Sequence, residues 1–259
     1  MVDIDNFQIC IADQSTPLVV FFGGKCSGKL MAIMRLLKYL EQYGFYFYPD
    51  PILRPVSDEI YQRVCKQFNE QIQLGQSIIC WPSPRIIMIK VVKKGIPECQ
   101  LLKLPGEHCI NLDYNDECLP AYFNYIVNVP NKKIWVFFLD RYKNDERLDY
   151  CMSQLLRLLK LINPEDRIVF LYSKVDQYIH YTTDCSTTDL FREFSNGYPL
   201  LIEYVKHKFK KRSLFFSRNF DYVVFSAGSF YQRNNIERFC PGSDVYPQQL
   251  WSIIMKSIH

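Results

Sequence analysis

The stretch Leu18-Val19-Val20-Phe21-Phe22-Gly23-Gly24-Lys25-Cys26-Ser27-Gly28-Lys29-Leu30 constrains the chain more than any other. Five apolar residues in a row read as a strand covered on both faces. A glycine-rich turn follows, then a helical pattern over 29–43 with Ile33, Met34, Leu37 and Leu40 on one face and Gly44 as its stop. Strand, tight turn and helix in this order are the building unit of parallel α/β sheets. Within the turn, the spacing Gly23-x4-Gly28-Lys29 suits a phosphate. Glycines let successive backbone N–H groups point inward and leave no Cβ in the way. The helix aims the positive end of its dipole at the same point, and Lys29 adds a mobile charge. The candidate phosphate-binding residues are therefore Gly23, Gly24, Lys25, Cys26, Ser27, Gly28, Lys29 and Leu30. Such a motif ordinarily ends in Ser or Thr, whose hydroxyl holds Mg²⁺, whereas Leu30 cannot ligate a metal. The alternative is a glycine-rich turn that binds nothing; the strand-then-helix context argues against it.

The rest of the chain continues the alternation. Phe7, Ile9 and Ile11 suggest an edge strand or lead-in within 1–13. Residues 45–56 are aromatic and proline-rich, and so read as irregular. Ser57-Asp58-Glu59 then caps an amphipathic helix reaching about residue 74 (Ile60, Val64, Phe68, Ile72). Strand-like segments 86–92 and 98–104, split by the short turn 93–97, predict a hairpin. A sharp loop at 105–108 precedes a helix within 115–127. Strand 134–139, helix 146–162, strand 168–172, helical residues 188–211 broken near Gly197 and Pro199, strand 222–225, a loop over 229–244 and a helix over 246–258 complete the series. The fold class is α/β: a mostly parallel sheet between helices, with one antiparallel edge strand contributed by the hairpin. Ligands in such sheets bind at the C-terminal ends of strands. Here those ends carry the loops 23–29, 105–108, 140–143, 173–176 and 226–228.

Length and composition set outer bounds. The 259 residues are read as a single domain, 1–259, carrying a helical insert at about 45–84. No apolar run is long enough to span a bilayer, and residues 1–5 lack a basic n-region. Ten cysteines scattered singly argue against a zinc site or a disulfide framework and for a reducing, cytoplasmic setting. A net charge of +4 is too mild to imply nucleic acid. The basic run Lys206 to Arg212 reads as a solvated helix end, and His108 and His180 as surface or loop residues. Phe45-Tyr46-Phe47-Tyr48 either fills the gap under the inserted helix or belongs to a partner surface.

Taken together, these motifs resemble the GTPase domain of the translation-factor-related (TRAFAC) class of P-loop proteins, and most of all the bacterial double-GTPase group. The resemblance runs from about residue 16 to 259. Gly23 to Lys29 resembles the phosphate loop, Leu104-Pro105-Gly106-Glu107 the Asp-x-x-Gly loop, Ser173-Lys174-Val175-Asp176 the Asn/Thr-Lys-x-Asp guanine motif, and Ser226-Ala227-Gly228 the Ser-Ala-Lys-type base loop. It implies a P-loop three-layer sandwich that takes GTP or GDP. It places Ser173, Lys174, Asp176, Ser226, Ala227 and Gly228 around the base. A carboxylate at Asp176 accepts from N1–H and the exocyclic amine of guanine, which adenine cannot satisfy. Glu107 stands where related enzymes position the attacking water, and so is the one catalytic candidate. Two departures are prominent: the metal-holding Ser/Thr is Leu30, and the metal-holding Asp is Lys103. No metal ligand is assigned, and a Mg²⁺ requirement is put in doubt. The resulting expectation is a guanine-nucleotide-binding, GTPase-like regulatory or scaffolding module with weak or no hydrolysis. It would contact a protein partner through 45–84 and 105–130. The alternatives are an active GTPase assisted by a partner and a pseudo-GTPase interaction module that binds no nucleotide.

Overall fold

The computed structural model describes residues 8–73, 86–109, 119–139, 146–175, 187–209, 220–233 and 236–259. Its centre is β1 (Leu18–Phe22), paired in parallel with β4 (Ile96–Lys103) on one side and β5 (Lys133–Leu139) on the other. Beyond β5 lie β6 (Arg167–Ser173) and β7 (Phe220–Phe225), also parallel. Beyond β4 lie β3 (Ile87–Lys93) and β2 (Phe45–Pro49), giving the order β2-β3-β4-β1-β5-β6-β7. The antiparallel departure is confined to this one margin, where β3 runs against its neighbours. The sheet is thus mixed and mostly parallel, as the alternation of elements implies.

Two apolar layers explain the unbroken hydrophobic runs. Leu18, Val20 and Phe22 of β1 face one core, and Val19 and Phe21 face the other. Along β5, Trp135, Phe137 and Leu139 oppose Ile134, Val136 and Phe138 in the same way. The helices α1 (Lys29–Glu41) and α8 (Val245–Ile258) cover the second face. The first is covered by α4 (Ala121–Asn128), α5 (Glu146–Leu161) and α7 (Pro199–Lys208). α2 (Glu59–Gln73) lies at the β2 margin, with Phe68 in one core and Tyr61 and Cys65 in the other. Each large side chain so buried contributes roughly 1.5–3 kcal/mol. The strand feeding the glycine turn is thus buried on both faces along its whole length.

Three segments depart from the sequence reading. Residues 45–49 form β2 rather than irregular chain. Pro49 closes the strand at the sheet margin, where a missing N–H costs nothing, and a 3₁₀ turn Pro51–Leu53 follows, capped by the Asp50 carboxylate. Phe45 is buried while Tyr46 and Tyr48 stand exposed, so the aromatic run serves both the core and the surface. The loop at 105–108 tightens into a short helix, α3 (Gly106–Cys109). Residues 229–244 contain a second, two-stranded sheet, β8 (Gly228–Arg233) and β9 (Ile236–Pro241). No strand appears over residues 8–13. The break near residue 198 is real: α6 (Thr187–Gly197) ends there and Pro199 begins α7. Residues 210–212 of the basic run and His180 lie outside the described residues.

A polar knot braces the lower end of the sheet, where β5 and β6 begin. The Trp135 indole N–H donates to Asp166 at 3.0 Å. Lys133 donates to Val129 O and Asn131 O, and Lys208 to Leu159 O and Lys160 O, so the two ammonium groups satisfy the carbonyls at the ends of α4 and α5. Burial raises the Asp166 carboxyl to about 6 from 3.8, against the opposing pull of Trp135 and the two lysines. A folded-state value above the unfolded one means that the native protein holds this proton more tightly. Its contribution to stability is complete below pH 4 and fades as pH rises through 6, a swing of about 3 kcal/mol. In urea unfolding at pH 4–7, Asp166→Asn is expected to flatten this part of the stability profile.

Candidate functional site

The C-terminal ends of β1, β4, β6 and β7 open onto a cleft of about 600 Å³. Its floor is the glycine turn and the first residues of α1, Lys25 to Ala32. Lys103 and Gly106 enter from the end of β4, Ser173 and Lys174 from the end of β6, and Phe225, Ala227, Gly228 and Ser229 from the end of β7. Residues far apart in sequence thus meet where strands of a parallel sheet stop, as such topology dictates.

Charge distinguishes this lining. Lys25, Lys29, Lys103 and Lys174 all border the cleft, and no carboxylate does so among the described residues. Lys29 is only 5% exposed. Its ammonium donates to Gly23 O at 2.6 Å, to Gly24 O at 2.7 Å and to Ser27 Oγ at 3.3 Å. A buried ammonium is tolerated because its donors are engaged, and those bonds hold the charge against the inside of the turn. Lys103 is equally buried, at the strand end beside Phe21 of β1. Ser173 donates its hydroxyl to Leu139 O at 3.2 Å, anchoring the exit of β6 to that of β5.

Backbone strain concentrates at the same place. Three described non-glycine residues have positive φ: Cys26 (60°), Lys94 (50°) and Lys174 (58°). Lys94 turns the β3–β4 hairpin, while the other two line the cleft. Such conformations persist only where the surroundings impose them. Gly106 packs backbone to backbone on the turn. A Cβ placed there would lie 2.6 Å from Lys25 Cα and N and 2.8 Å from Gly24 C. Two further contacts pin this segment, Leu104 N donating to Phe21 O at 3.1 Å and His108 Nδ1 sharing a 2.9 Å hydrogen bond with Tyr122 OH. His108 is therefore buried and paired, not a surface residue, because α3 packs on α4.

Of the residues singled out in the sequence, Lys25 to Leu30, Ser173, Lys174, Ala227 and Gly228 line the cleft. Gly23 and Gly24 supply the carbonyls that hold Lys29, and Ser226 Oγ accepts from Gly228 N at 3.3 Å. Asp176 lies outside the described residues, as do residues 74–85, 110–118 and 140–145; Glu107 is described in its backbone alone. Phe225, Ser229, Met31 and Ala32 were not foreseen as lining. The strand end at Phe225 and the first turn of α1 are the signals that point to them. No group of three or more His, Cys, Asp or Glu comes together among the described residues, and no described helix is long and apolar enough to cross a membrane.

No protein-family model matches the chain, and no curated protein does. Among solved structures, the crystal structure of a putative nucleolar GTP-binding protein 1 from Plasmodium falciparum is similar. Identity is 9%, 96% of this chain and 89% of that chain are covered, and the TM-score is 0.46.

Proposed function

We propose that the cleft binds a guanine nucleotide by its phosphates without a divalent ion. In this reading the chain hydrolyses the nucleotide slowly or not at all, and acts as a regulatory or scaffolding module. The observation that carries the reading is the convergence of the glycine turn, four lysines and the two loops Ser173–Lys174 and Ala227–Ser229 on a single cleft. A lining with ammonium groups and no described carboxylate attracts a polyphosphate. The same lining repels Mg²⁺, which takes oxygen ligands in near-octahedral array. Lys103 then supplies, from a buried position, part of the charge that a metal supplies elsewhere. Guanine specificity rests on Asp176, by the resemblance described above. Hydrolysis is slow because an ammonium neither organises nor deprotonates the attacking water.

Titration with fluorescent GDP, GTP and ATP, in EDTA and in Mg²⁺, tests this. The expected result is guanine-selective binding whose affinity changes less than threefold between EDTA and Mg²⁺. Strong Mg²⁺-dependent turnover would instead identify an active enzyme. A folded protein that binds none of the three would identify an interaction module.

A further inference from the structure

The base-side rim of the cleft is not free-standing. Ala227 O accepts from Gly242 N at 3.0 Å, so the loop leaving β7 is bonded to the residue just beyond β9. Gly228 has φ +126°, and a Cβ there would meet Cys240 O at 2.1 Å and Gly242 N at 2.5 Å. Only glycine permits this approach. The β8–β9 hairpin therefore begins and ends in one tight knot, and two of the knot's residues, Ala227 and Gly228, line the cleft.

One side chain from the opposite half of the site grips this knot. Arg35, on the second turn of α1, is 6% exposed and donates to Gly242 O at 2.8 Å and to the Asp244 carboxylate. Its Nε is buried and has no hydrogen-bond partner among the described residues. Asp244 immediately precedes α8, and its side chain is about half exposed. A guanidinium buried with one N–H unsatisfied is an expensive way to fill space between two helices that already share an apolar contact. It is an effective way to hold two backbone segments at a set separation, since its planar fork spans fixed directions. α1 starts at the phosphate turn, and Gly242 carries the rim at Ala227–Gly228. Arg35 is thus a strut between the two halves of the cleft.

We propose that Arg35 is a positioning residue that sets the span between phosphate turn and base rim, and so makes the cleft selective for a nucleotide over its bare phosphates. It touches no ligand itself. This rests on the nucleotide reading above, and the experiment separates the two. Binding of GDP and of inorganic pyrophosphate is measured by calorimetry for the full chain and for Arg35→Met, Arg35→Lys and Asp244→Asn, with thermal midpoints recorded alongside. Arg35→Met is expected to weaken GDP at least tenfold more than pyrophosphate, the loss of a charge-assisted bond at the rim alone. Arg35→Lys, which keeps the charge without the fork, recovers part of that difference. Asp244→Asn removes a carboxylate that is half in solvent, so it reports on the strut even if Arg35→Met fails to fold, and it shifts the GDP-to-pyrophosphate ratio in the same direction. Equal weakening of both ligands, or an unchanged ratio in both Asp244→Asn and a folded Arg35→Met, would overturn the strut. A wild-type chain that binds pyrophosphate but no nucleotide would overturn the nucleotide reading on which it stands.

Discussion

Lys29→Met is expected to lower GDP affinity by about two orders of magnitude while leaving the protein folded. The wild-type ammonium is held by Gly23 O, Gly24 O and Ser27 Oγ, all within the turn that would surround a phosphate. Methionine keeps the apolar stem and removes the charge. A charge-assisted hydrogen bond is worth roughly 1.5–3 kcal/mol, and its loss next to a multiply charged ligand falls at the upper end of that range, about a hundredfold in affinity. Gly23 and Gly24 are buried, so their released carbonyls cost the variant some stability, which the thermal melt reads as a lowered midpoint in a protein that still folds. Calorimetry gives the affinity, and circular dichroism with a thermal melt checks the fold. A folded Lys29→Met variant that binds GDP within threefold of the wild type would remove the phosphate turn from the site.

The sheet was readable in the sequence because its central strands are buried on both faces. Leu18 to Phe22, Ile134 to Leu139 and Ile168 to Tyr172 have no polar residue to interrupt them, and only a parallel sheet between two helical layers hides such runs. The margins were harder. β2 is a strand because β3 offers it a ladder; the aromatics Phe45-Tyr46-Phe47-Tyr48 favour that state, but Pro49, Pro51 and Pro55 close behind them mask the preference. The β8–β9 hairpin is likewise imposed by contact: Gly228 is pressed onto Cys240 O, and a two-stranded ribbon carries no apolar alternation strong enough to announce itself. Around the cleft, the turn 23–29 was legible from its glycine–lysine spacing after a strand, and the loops at 173–176 and 226–228 from their place at strand ends and the motifs they resemble. Arg35 did not. A lone arginine at a helical spacing looks like any solvated residue until the fold brings Gly242 and Asp244 beside it.

The second large effect is expected at Lys103, and its sign is informative. This residue occupies the end of β4, level with Phe21, and borders the same cleft as Lys29. If its ammonium does the work of a metal, then Lys103→Ala weakens GDP about tenfold, and Mg²⁺ does not repair the loss. Lys103→Asp goes further, because it replaces an attraction with a repulsion. Two unit charges 4–6 Å apart at an effective dielectric of 20 interact by roughly 3–4 kcal/mol. Binding of GDP to Lys103→Asp in EDTA is therefore expected to fall by at least about a hundredfold. Mg²⁺ then has a carboxylate to bridge and is expected to restore at least tenfold of the affinity, giving the variant a metal dependence that the proposed wild-type site would not have. A thermal melt recorded alongside confirms that the variant is folded. Measured EDTA and Mg²⁺ affinities that stay equal in Lys103→Asp, with both matching the wild type, would mean that Lys103 is a packing residue and that the missing metal charge is supplied by some other group.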